Sequence, residues 1–170
     1  MPFYYVQLSS LNRPSWTWFR DSQRRLMDLV PYTGMAVSHD VGDSLDVHPR
    51  MKQPVGQRLA RWALNKTYQK NVIPSGPLYK SFDIQGNYMM LKFDYAKGLH
   101  GRNGEPLNCF EIAGPDQLFY PAMAEVVGNQ IKVWSDKVQN PKTVRYGWQP
   151  FTRANLVNEE ELPASTFITE

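Results

Sequence analysis

The segment from Phe3 to Val41 constrains this chain most, because it reads as strand, helix and strand with a breaker after each. Phe3 to Leu8 (FYYVQL) is rich in aromatic and branched side chains and holds no Gly or Pro, the texture of a buried strand. Ser9, Ser10, Asn12 and Pro14 end it. From Ser15 to Val30 the apolar Phe19, Leu26, Met27 and Val30 recur at helical spacing, with Arg20, Arg24, Arg25 and Asp28 between them. Ser15 suits the N-cap, and Pro31 and Gly34 stop the helix. Met35 to Val41 (MAVSHDV) then resumes a strand-like pattern. A strand, a helix of about four turns and a second strand form a βαβ unit, whose crossover makes the strands parallel.

A second helix is expected from Pro54, with Val55, Leu59, Trp62 and Ala63 on one stripe, ending by Tyr68. Asn71 to Pro77 (NVIPSGP) cannot continue a helix and marks a boundary, dividing the chain into residues 1–74 and 75–170. Beyond it the texture changes. Met89, Leu91 and Phe93 alternate with Tyr88, Met90 and Lys92, Val126 to Trp134 reads as a hairpin around Gly128-Asn129, and Val144, Tyr146 and Trp148 alternate again. Residues 75–170 are therefore expected to form an antiparallel β-sandwich. Two parallel strands and two helices do not complete an α/β layer, since sheets usually have about four to six strands and parallel ones are covered on both faces. Residues 1–74 read as the incomplete tail of a larger α/β domain.

Composition removes several function classes. Nineteen basic and sixteen acidic residues leave a net charge of +3 with the signs interspersed, so no nucleic-acid or anionic-membrane footprint stands out. A single cysteine, Cys109, excludes an intrachain disulfide and a cysteine-based zinc cage, and reads as an inert core thiol. No apolar run is long enough for a membrane span, and MPFYYVQL does not read as a signal peptide.

Open α/β sheets bind ligands beyond the carboxyl ends of their strands, which directs attention to the loop after the second strand. There Asp43, Asp46 and His48 lie in GDSLDVHPRMK. A histidine with a carboxylate two residues before it can serve as a general base, its imidazole oriented by that carboxylate. Spacing leaves open whether Asp46, Asp43 or a backbone carbonyl holds the ring. Arg50 and Lys52 could meet a carboxylate, and Phe119, Tyr120, Trp134, Tyr146 and Trp148 a sugar face, although their alternation within strands favours core packing. His39 falls in the second strand pattern and His100 in a loop, without metal-ligand spacing, so no metal or cofactor is expected.

The strings VQL, FRDSQ, PYTGMAVSHDVGDSLDVHPRMKQPVGQRLARWAL, SGPLYKS, FEIAG, FYPA, VRYGW and LPAS together resemble the C-terminal part of the sialate O-acetylesterase family, carbohydrate esterases of the SGNH hydrolase superfamily. The resemblance implies the tail of a flavodoxin-like SGNH sheet followed by a β-sandwich, hydrolysis of acetyl esters on sugars, and no cofactor. It places the family's Asp-Ile/Val-His-Pro stretch on Asp46-Val47-His48-Pro49, with His48 as catalytic base and Asp46 as its acid. Many SGNH hydrolases set the acid three residues before the histidine, where this chain has Leu45. The family's nucleophilic serine and oxyanion donors come from earlier segments, so the expected partners are an acetylated carbohydrate and a missing N-terminal segment or chain carrying that serine. The isolated chain is then expected to be inactive, and the intact protein periplasmic or secreted. Gly42-Asp43-Ser44-Leu45 spells GDSL, but on the histidine loop rather than after a first strand, so Ser44 reads as a turn residue. The alternative is a non-catalytic carbohydrate-binding or assembly module built on the sandwich.

Overall fold

The computed structural model describes residues 1–169. Strand β1 (Phe3–Val6) pairs in parallel with β2 (Thr33–Ala36), Phe3 opposite Thr33 and Val6 opposite Ala36, and helix α1 (Trp16–Leu29) joins them. The βαβ unit is present, with a shorter second strand than the pattern predicts. After Ala36 the chain turns, and His39–Val41 is a single 3-10 turn rather than strand. Arg58 explains the departure. Its guanidinium donates to the Val37 carbonyl and to both oxygens of Asp40, at 2.7 Å each, and a carbonyl and carboxylate three residues apart converge in this way on a turn.

Helix α2 (Lys52–Trp62) packs across β1 and β2 and runs on through a wider turn at Ala63–Thr67. Trp62 is buried against the sheet, its indole N–H donating to the Met35 carbonyl at 2.8 Å. Its ring requires the glycine opposite, since a Cβ at Gly34 would lie 2.5 Å from it.

The helix α1 stripe is turned the opposite way from the simple amphipathic reading. Its buried residues are Thr17, Arg20, Asp21 and Arg24, whereas Phe19 is 54% exposed and Trp18, Leu29 and Val30 also face outward. Among the described residues β1 and β2 form a two-stranded sheet, and the outer edge of β1 has no strand partner. The apolar face of α1 is thus uncovered while its polar face is the packed one.

What that polar face meets is the remainder of the chain. Strands β3 (Leu78–Gln85), β4 (Tyr88–Asp94), β5 (His100–Gly101), β6 (Phe110–Ala113), β7 (Phe119–Pro121), β8 (Met123–Val127), β9 (Gln130–Trp134), β10 (Thr143–Tyr146), β11 (Leu156–Val157) and β12 (Phe167–Ile168) follow in order. One sheet has the order β3-β4-β9-β8 and another β12-β10-β6-β7, every pairing antiparallel, with a small β11-β5 pair beside them. Met89, Leu91, Ile131 and Val133 from the first sheet and Ile112, Val144, Tyr146 and Phe167 from the second are fully buried in one core. The architecture is an α/β unit with an antiparallel β-sandwich. Tyr146 and Trp148 are core residues; Phe119, Tyr120 and Trp134 are half-buried.

The two textures are joined by buried polar bonds. Arg20 is 0% exposed and donates to the carbonyls of Gly147 (3.1 Å), Gln149 (2.6 Å) and Pro150 (3.1 Å). Gln7 donates to Ser165 Oγ at 2.7 Å, the Ser10 hydroxyl to the Thr152 carbonyl at 3.3 Å, and the His39 ring to the Ala164 carbonyl at 3.0 Å. No helix among the described residues is long and apolar enough to cross a membrane.

Candidate active site

The loop between β2 and α2 begins with a tightly held base. Burial alone would raise the Asp40 carboxyl, but the Arg58 hydrogen bonds and the charges of His39, Arg58 and Arg102 hold it at about 2. Arg102, from the sandwich, reaches Asp40 at 3.1 Å. His39 beside it is buried, and desolvation, opposed by Asp40 and aided by Arg20, lowers its pKa to about 4. Folded His39 is therefore neutral where unfolded His39 begins to protonate, so its contribution is complete above pH 6.5 and is lost as pH falls towards 4. A displacement of that size is worth about 3 kcal/mol. Urea unfolding is expected to show this loss between pH 6.5 and 4, above the window of Asp40, and His39→Gln is expected to flatten it. An unchanged pH slope in the variant would reject the assignment.

Further along, the loop is organised by aspartates. Asp43 Oδ1 accepts the Leu45 N–H at 2.9 Å, closing a small turn of its own. Asp46 Oδ1 accepts the His48 N–H at 2.9 Å and faces the His48 ring, 3.0 Å from Nδ1. A carboxylate only accepts, so in the neutral ring Nδ1 carries the proton and Nε2 holds the lone pair. The backbone N–H of His48, then its ring, holds the Asp46 carboxyl below the usual carboxylate range, with a smaller contribution from Arg50. The His48 side chain is 80% exposed, so Nε2 is open to a reacting group. Of the three candidate orienting groups, geometry brings Asp46 to the ring; Asp43 is turned to Leu45.

Ser44 enters through its backbone: its carbonyl accepts the Asn12 N–H at 3.2 Å, and among the described residues no serine hydroxyl bonds to the His48 ring. Gly42 of the GDSL string is needed for a local reason, since a Cβ there would lie 2.5 Å from the Ser10 backbone. The Ser9 hydroxyl donates to the Val47 carbonyl at 3.3 Å, a second tie between the loops that follow β1 and β2. Both loops leave the carboxyl ends of parallel strands. Arg50 and Lys52 are exposed, Lys52 opening α2, and His100 lies on β5 against Glu161 at 2.8 Å. Cys109 is free and half-buried.

Sequence reasoning passed over Arg20, Gln7 and Ser10, because a buried arginine and an exposed one look alike in a helical pattern. The available signal was the joint presence of FRDSQ and VRYGW, strings that meet in space.

No family model matches the chain, and no curated protein matches it. Among solved structures, a carbohydrate acetylesterase from Xanthomonas citri superposes with a TM-score of 0.92 at 38% identity, covering 99% of this chain and 41% of that one. The chain has a carbohydrate-esterase-like fold. It spans 41% of the length of the Xanthomonas protein, so the activity of such a whole enzyme is a matter for proposal.

Proposed function

We propose that this chain supplies the histidine half of a carbohydrate O-acetylesterase of the sialate O-acetylesterase type, with the serine contributed by a segment outside these residues. The observation that carries the reading is the His48 ring pinned by Asp46 in the loop that follows β2, its side chain exposed, within a fold that matches a carbohydrate acetylesterase along 99% of the chain. The uncovered apolar face of α1 and the unpaired edge of β1 support it further, because a larger SGNH sheet would cover both.

In this reading His48 Nε2 removes the proton of the serine hydroxyl as its oxygen attacks the acetyl carbonyl. The ring, now cationic, is stabilised by Asp46, and it returns the proton to the departing sugar oxygen. Water, deprotonated in turn by Nε2, then attacks the acetyl-serine carbonyl, and the ring returns that proton to the serine oxygen as its bond to the acyl carbon breaks and acetate leaves. The oxyanion donors also lie in the complementing segment.

The test is reconstitution. The portion of the Xanthomonas enzyme that this chain does not cover, fused to or coexpressed with residues 1–170, is expected to release acetate from p-nitrophenyl acetate and from an acetylated glycan. Neither part alone should do so. A folded complex with no hydrolysis would reject the proposal in favour of a carbohydrate-binding or assembly module, and hydrolysis by this chain alone that vanishes with Ser44→Ala would reject it in favour of a self-contained site.

A further inference from the structure

The loop between β1 and α1 and the first residue of α1 carry side chains that the catalytic reading does not use. Trp16 is half-buried, and its indole N–H donates to the Ser9 carbonyl at 2.9 Å. Ser9 in turn donates from its hydroxyl to the carbonyl of Val47, the residue before His48. Asn12 donates from its backbone to the Ser44 carbonyl at 3.2 Å. The indole is thereby fixed to the wall of the histidine loop by a chain of two hydrogen bonds. The Arg13 guanidinium lies over the Trp16 ring, 5.6 Å from its centroid, and forms no ion pair among the described residues. A cation at an exposed position without a carboxylate among the described residues, held by an aromatic ring that is tied through Ser9 to the residue before His48, is a group with donors to spare.

We infer that Arg13 and Trp16 form a sugar-binding wall of the His48 site, taking a pyranose ring of the glycan whose acetyl ester is presented to Nε2. The indole offers an apolar surface for the C–H face of the sugar, and Arg13 donates to its hydroxyl or ring oxygens. A fixed stacking surface also lowers the ordering cost of binding, because the indole does not have to be immobilised by the ligand. The inference rests on the carbohydrate substrate class proposed above and extends it to the residues that position the sugar.

Binding can be read without turnover. The full chain is run by affinity electrophoresis through gels containing soluble acetylated xylan or O-acetylated mucin, with thermal unfolding checked for each variant. Wild type is expected to be retarded by at least one of these glycans. Trp16→Ala and Arg13→Ala are each expected to weaken the retardation constant about fivefold or more, and Trp16→Phe, which keeps a stacking face, to retain most of it. Arg13 is exposed, so its variant reports on binding even where Trp16→Ala unfolds. No retardation by either glycan, or equal retardation of wild type and Arg13→Ala, overturns the inference. Glycan binding that depends on Arg13, together with a reconstituted complex that fails to hydrolyse, would reject the catalytic reading and leave this one standing.

Discussion

Arg20→Met is expected to destabilise the chain by about 3 kcal/mol or more, read as a lower urea midpoint at pH 7. Arg20 is a fully buried cation with no carboxylate partner among the described residues. It is balanced by three carbonyl dipoles, those of Gly147, Gln149 and Pro150. Burial lowers its pKa to about 10, so it remains charged at neutral pH. Methionine fills much of the space but removes three charge-assisted bonds; Gly147 keeps the Thr166 hydroxyl and Pro150 the Leu11 N–H, whereas the Gln149 carbonyl loses its donor, and an unsatisfied buried polar group costs about 1–3 kcal/mol. Gly147 is already committed to this arrangement: its φ is +59°, and its carbonyl also accepts from the Thr166 hydroxyl at 3.2 Å. Arg20→Lys is expected to fall between the two, since an ammonium lacks the planar fork that spans separate carbonyls. A loss under about 1 kcal/mol for Arg20→Met would mean that the helix and the sandwich are not coupled through this side chain.

In the reconstituted enzyme, His48→Ala is expected to lower kcat by at least about a thousandfold, with KM little changed. Asp46→Asn is the sharper test. An asparagine oxygen can still accept the His48 backbone N–H, so the turn survives, but the amide cannot stabilise a cationic ring and permits the wrong tautomer. A loss of about a hundredfold or more in kcat is expected, reduced from the value for a buried acid because Asp46 is half-exposed and water partly replaces it. Asp43→Asn, which alters a turn that does not touch the ring, should have a small effect. Equal activities for wild type and Asp46→Asn would remove Asp46 from the mechanism.

Much of the architecture was readable from pattern. Pro31 and the alternation at Met89, Leu91 and Phe93 report local backbone preference, and α1 ends before the one while β4 carries the other; Gly34, expected to stop the helix, instead lies inside β2 against the Trp62 ring. The orientation of α1 was not readable, because hydrophobic periodicity assumes that the apolar face is the buried one. Here Arg20, Asp21 and Arg24 are buried and Phe19 is exposed. A polar joint has no periodicity, only long-range partners such as Gly147 and Pro150. His39 escaped for a related reason: a strand pattern over Met35 to Val41 cannot show that Arg58, on a helix further along the chain, draws Val37 and Asp40 into a turn. At the candidate site, the spacing of Asp46 and His48 left three groups able to hold the ring, and only the turn geometry separates them.

The most direct measurement is an experimental structure of residues 1–170 bound to the complementing α/β segment. A serine Oγ is expected within hydrogen-bonding distance of His48 Nε2, with Asp46 retained on Nδ1 and the segment's strands continuing the sheet from the free edge of β1. An imidazole that still faces open solvent in the assembled complex, with that serine paired to another base, would contradict it.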